Sequence, residues 1–165
     1  MGHVVRNPAR CIALDVENHP DTLDPLARQL GLAGLLPPVL GLLAVAVQPD
    51  LRWIVLAASF AYAAFIFSFL GGIWWGLAIM RARPPRWILL AAIAPSLLSL
   101  ALFMPWAFGW DWPQPAMVVL AGLILASPLV DLGIGRSVRL PGGWMRLRWQ
   151  LSVGLGALTF GASLL

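Results

Sequence analysis

Residues 51–80 read LRWIVLAASFAYAAFIFSFLGGIWWGLAIM, thirty positions in which Arg52 is the sole charge. Crossing about 30 Å of hydrocarbon takes about 20 apolar residues in a helix, and this stretch exceeds that. From Arg52 to Arg81 a straight helix would measure about 43 Å. Tilt alone would have to reach about 45°, beyond the usual range. The run therefore predicts a span whose ends enter the headgroup layers. It also predicts a bend at Gly71-Gly72, where no side chains stiffen the turn.

Working outward, four more apolar stretches qualify: Gln29–Val47, Trp87–Met104, Pro115–Val130 and Trp149–Leu165. The fourth is short unless Trp112 and Asp131 mark its two interfaces, giving spans of about 29–47, 51–80, 87–104, 113–131 and 149–165. Residues 1–28 read as a polar cytoplasmic tail, with a short interfacial helix at Pro25–Leu30. Composition agrees. The chain is 60% hydrophobic and 11% charged, with a mean hydropathy of +0.84, whereas a soluble domain carries about a quarter charged residues. The expected fold is all-α, a polytopic transmembrane helical bundle of about five spans in one domain.

Orientation follows from arginine, which supplies every basic residue. Five spans place Arg6, Arg10, Arg28, Arg81, Arg83, Arg86, Arg136, Arg139, Arg146 and Arg148 on one side and Arg52 alone on the other. The positive side is cytoplasmic, so the N-terminus is expected inside and the C-terminus in the periplasm. Trp87, Trp144 and Trp149 fall at the cytoplasmic interface, and Trp53, Trp106, Trp110 and Trp112 at the opposite one, as amphipathic rings prefer. Trp74 and Trp75 lie deeper. The net charge of +4 is thus a topology signal, and no nucleic-acid partner is expected. The tail lacks the apolar run of a signal peptide, and the single Cys11 allows no internal disulfide.

Candidate chemistry is sparse. No span carries an ionisable group near its centre, where proton relays and ion carriers place one. His3, Cys11 and His19 are spaced unlike zinc ligands, so no metal, cofactor or catalytic residue is expected. Asp131 closes the fourth span at the unfavourable end of the helix dipole, and an interfacial ion pair with Arg136, Arg139 or Arg148 would offset that. Small residues recur along the second span at Ala64, Ser68, Gly72 and Gly76, and along the fifth at Val153, Ala157 and Gly161, with Gly154 and Gly156 nearby. Such stripes let helix backbones approach closely, and packing within the bundle is the expected use. Pro37-Pro38, Pro95 and Pro128 free the carbonyls of Ala33, Gly34, Ala91 and Ile124, which either line a small polar cavity or mark simple kinks repaired by a hydroxyl such as that of Ser96, the second being the expected case.

The segments Leu30-Gly31-Leu32-Ala33-Gly34-Leu35-Leu36-Pro37, Ser68-Phe69-Leu70-Gly71-Gly72-Ile73-Trp74-Trp75-Gly76 and Ala94-Pro95-Ser96-Leu97-Leu98 go together with Asp131 and Trp144…Leu147-Arg148…Leu151-Ser152. Together they resemble the bacterial membrane family called domain of unknown function 3429, related to the eukaryotic transmembrane protein 69. The resemblance covers about residues 28–165 and implies about five spans in the bacterial inner membrane, with no established activity. In that family the position between Ile73 and Trp75 often carries His or Arg. The resemblance implies that any chemistry of such a group is lost here, where Trp74 stands.

Two functional expectations follow. The first is a non-enzymatic accessory or assembly subunit, packed in the lipid bilayer against a membrane-protein partner. The second is a site for a bound lipid or quinone, or a path for a small apolar solute, near Ser68, Gly71, Gly72, Trp74, Trp75, Gly76 and Pro95. On the arginine pattern, alkaline phosphatase fused after Leu165 is expected to be active in cells. The same enzyme fused after Arg83 is expected to be inactive; the reverse pattern would invert the bundle.

Overall fold

The computed structural model describes residues 23–110, 113–136 and 142–165. Helix α1, Pro25–Ala33, starts where the Asp24 carboxylate accepts the Leu26 amide at 2.8 Å and Pro25 presets the first turn. Helix α2, Leu36–Val47, follows after a break at Gly34-Leu35. The expected single first span is therefore two helices. Pro37 and Pro38 in the first turn of α2 cannot donate amides back to the preceding helix. The Gly34 carbonyl left there accepts the Tyr62 hydroxyl at 2.5 Å.

A 3₁₀ turn, Pro49–Leu51, leads into α3, Arg52–Ile79. Its 28 residues form one unbroken helix of about 42 Å, continuous through Gly71-Gly72. Helix α4, Arg86–Ala107, runs through Pro95 and Pro105. Helix α5 spans Gln114–Gly135, and α6 spans Trp144–Ser163 after Gly143, whose φ of 85° is open to glycine. Four stretches are long and apolar enough to cross a membrane: Pro25–Val47, Pro49–Ile79, Arg86–Ala107 and Gln114–Gly135. At 20 residues α6 also has the length, about 30 Å, but it carries Arg146 and Arg148 in its first two turns.

Helix α3 is the central element. It packs most broadly on α4 and also meets α2, α5 and α6, while α5 and α6 form the other broad pair. Its buried ridge comprises Leu56, Phe60, Ala63, Phe67, Leu70, Gly71, Trp74 and Ala78, a spacing of three and four that keeps one face inward. The outer surface of the bundle carries large apolar side chains such as Phe65, Phe69, Leu90, Leu97 and Leu129, as a helix facing lipid does.

This ridge corrects the expected packing stripe. Of Ala64, Ser68, Gly72 and Gly76, only Ala64 is buried, and a Cβ on Gly72 or Gly76 would meet open space. The glycine that packs is the neighbour, Gly71, where a Cβ would overlap the Ala92 carbonyl oxygen of α4. On α6, Val153 and Ala157 are exposed and Gly161 faces open space, whereas Gly156 closes on Leu125 and the Ala121 carbonyl. On both helices the buried face lies beside the expected stripe and mixes small with large residues: Ala63, Phe67, Gly71 and Trp74 on α3, and Ser152, Leu155, Gly156 and Thr159 on α6. Gly71→Ala is accordingly expected to cost about 1–3 kcal/mol. Gly72→Ala should be neutral or slightly stabilising; thermal unfolding of the two variants in one detergent checks the contrast.

Candidate functional site

The fourth expected span does not end at Asp131. It continues one turn to Gly135, so Asp131 lies on the inner face of α5 with 2% exposure. Helix α6 begins five residues earlier than expected, at Trp144, which brings Arg148 inside with 5% exposure. Both corrections share a cause. A lone charge ends a membrane helix, whereas two opposite charges that meet can both be enclosed. The Arg148 Nε donates to Asp131 Oδ2 at 2.7 Å. The other carboxylate oxygen, Oδ1, accepts the Trp74 indole N–H from α3 at 2.8 Å.

One turn deeper the same two helices meet again. Ser127 lies four residues before Asp131, and Ser152 four after Arg148, so each pair shares a helix face. Their hydroxyl oxygens are 3.2 Å apart. The proton directions can be assigned because Ser127 has a single proton. Its hydroxyl donates to the Ile124 carbonyl at 2.7 Å, the carbonyl freed by Pro128. Ser127 Oγ therefore accepts from Ser152, and from Arg148 Nη2 in a longer contact of 3.4 Å. The carboxylate's partners are donors only, and the geometry is that of a closed lock between α3, α5 and α6.

The sequence-predicted residues divide clearly. Gly71, Trp74 and Pro95 come together: a Cβ on Gly71 would lie 3.3 Å from the Pro95 ring, and Trp74 and Pro95 share a cavity of about 270 Å³ with Ser127 between α3, α4 and α5. Ser68 and Gly76 are half-buried, while Gly72 and Trp75 face outward. Of the expected Asp131 partners, Arg148 makes the contact and Arg136 is exposed at the end of α5. Arg139, like the metal candidates His3, Cys11 and His19, lies outside the described residues. Ser127 escaped the sequence reading and Ser152 entered it only within the family-like segment, although their four-residue spacing from Asp131 and Arg148 was a usable signal.

A larger cleft of about 410 Å³ lies on the far side of the lock, among α1, α3, α5 and α6. Leu30, Gly31, Phe69, Ile73, Leu151 and Leu155 give it an apolar lining, and Trp144, Arg148 and Ser152 bring polar side chains to its wall. Trp144 Nε1 is buried and has no hydrogen-bond partner among the described residues.

The sequence profile described as Protein of unknown function (DUF3429) matches residues 23–164, which take in both the lock and the cleft. The chain belongs to this family. Transmembrane protein 69 of Xenopus tropicalis is 40% identical to this DUF3429 chain over 104 residues, 61% of the chain and 40% of the frog protein. The chain thus aligns with well under half the length of that relative. No solved structure matches it. In this DUF3429 member the indole N–H of Trp74 supplies a donor to the carboxylate.

Removing one partner of a buried ion pair leaves the other charge uncompensated, at a cost of about 3–5 kcal/mol, while replacing both with apolar residues is often neutral. Asp131→Leu should therefore lower the unfolding midpoint in detergent sharply. Adding Arg148→Leu to it should restore most of the loss.

Proposed function

We propose that this protein is a membrane-embedded binder of a lipid-like amphiphile held in the cleft among α1, α3, α5 and α6. The observation that carries the reading is the make-up of that cleft: 410 Å³, apolar along most of its length, with polar side chains grouped at Trp144, Arg148 and Ser152. Binding pockets are concave and mostly apolar, with a few placed polar groups that fix orientation. From Trp144 to Leu155 the lining covers about 16 Å along α6, enough for a head near the start of that helix and tails toward mid-membrane. The site lies beside the Gly71–Trp74 segment but opens on the other side of the Trp74–Asp131 bond. No free nucleophile or general base is grouped there among the described residues, which favours holding a molecule over transforming it.

A second reading, an accessory subunit that packs against a larger membrane complex, draws support from the outward face of α3. Ser68, Gly72 and Gly76 leave that face open enough for a neighbouring helix. The ten-to-one arginine asymmetry supports a bacterial inner-membrane setting with the N-terminal side in the cytoplasm.

Mass spectrometry of the intact protein, released from mild detergent, separates the two. The amphiphile reading predicts one retained lipid-mass adduct per chain, lost in Leu151→Trp, which fills the cleft. Stoichiometric partner chains with no adduct would favour the second reading.

A further inference from the structure

The wall of the cleft also specifies the head of its occupant. We infer that this head is an uncharged hydrogen-bond acceptor, a carbonyl-type oxygen, taken by the indole N–H of Trp144; the inference rests on the amphiphile reading above.

Three observations carry it. First, the donors at the polar end are unequally committed. Arg148 Nε is engaged by Asp131, and the Ser152 proton by Ser127. The Gly34 carbonyl, which could have taken a donor from the ligand, is occupied by Tyr62. Trp144 lines the same cleft, and its Nε1, turned away from the opening, is buried without an acceptor among the described residues. An indole nitrogen only donates, and buried tryptophans ordinarily find a partner. What is missing is an acceptor.

Second, the cleft is electrically balanced. Asp131 offsets the one guanidinium in its wall, so a phosphate head would bring an uncompensated charge into apolar surroundings. A cationic head would find no carboxylate in the lining, since Asp131 does not face the cleft.

Third, Trp144 opens α6, one turn before Arg148, at the level where tryptophan rings meet the headgroup layer. Ester and ring carbonyls of amphiphiles lie at that level, with their tails directed inward along Leu147, Leu151 and Leu155. The indole nitrogen itself is closed off from the cleft, so presenting it to an acceptor takes a turn of the ring about its Cβ–Cγ bond. That torsion is broad.

Two amphiphile classes present such a carbonyl, an uncharged glycerolipid and a quinone. The full-length protein in detergent is therefore titrated with dioleoylglycerol, with a decyl-tailed benzoquinone and with dioleoylphosphatidylglycerol. The indole N–H resonances of its nine tryptophans are followed by nitrogen-15 NMR. The Trp144 resonance is assigned by its absence from Trp144→Phe, or from Trp144→Tyr if the phenylalanine variant does not fold. The expected result is a downfield shift of that resonance with one of the two carbonyl probes, whose identity names the class. Retention of the same probe should be about three- to tenfold weaker in Trp144→Phe, as for one lost hydrogen bond. A resonance that stays in place while the probe is retained would overturn the assignment of the head. So would displacement of both carbonyl probes by phosphatidylglycerol, and either result would leave the amphiphile reading standing. A protein that retains none of the three, and carries no adduct when extracted, would overturn both.

Discussion

One carboxylate organises this bundle. Asp131 has two oxygens, one given to an arginine on α6 and the other to a tryptophan on α3. In lipid there is no hydrophobic drive between helices, since the tails are as apolar as leucine. Helices must be selected for one another by close packing and by polar contacts that would be costly to leave unmade. A charge on an isolated helix at membrane depth is costly by at least about 2.5–3.5 kcal/mol. The pairing removes that cost only when α3, α5 and α6 adopt this one arrangement.

Around the lock, apolar packing completes the specification. Gly71 lets α4 approach α3 until the Ala92 carbonyl stands where a side chain would be, and Gly156 does the same for α5 and α6. The prolines that interrupt α2 and α5 release carbonyls, and hydroxyls take two of them: Tyr62 reaches Gly34 and Ser127 reaches Ile124. Ser127 thereby links the proline repair to the ion pair, through its contacts with Ser152 and Arg148. The lock is also a partition. Trp74 and Ser127 face the smaller cavity, while Arg148 and Ser152 face the larger cleft.

The helical membrane architecture was legible in the sequence because hydrocarbon demands long apolar runs, and a chain so rich in them has too few polar groups to face water. Where α5 ends and α6 begins was not legible. Hydropathy treats Asp131 and Arg148 as two separate costs, and only their proximity cancels them. The choice of face was half legible. Spacing of small residues pointed to close packing on α3 and α6, but small residues lie on more than one side of each helix, and spacing alone does not say which side turns inward. The Trp74 role was hidden for a different reason: an indole reads as an interfacial or packing group, and its single N–H becomes informative only opposite a carboxylate. The cleft was beyond sequence reading, because its lining is drawn from four helices far apart in the chain.

The central claim is that Trp74 and Arg148 act on one shared group and on each other only through it. A double-mutant cycle with Trp74→Phe and Arg148→Met, followed by unfolding in detergent, measures this directly. The account predicts a coupling of about 0.5–3 kcal/mol between the two sites, which disappears when the cycle is repeated in an Asp131→Leu background. Additive effects with Asp131 present, or a coupling that survives its removal, would contradict it.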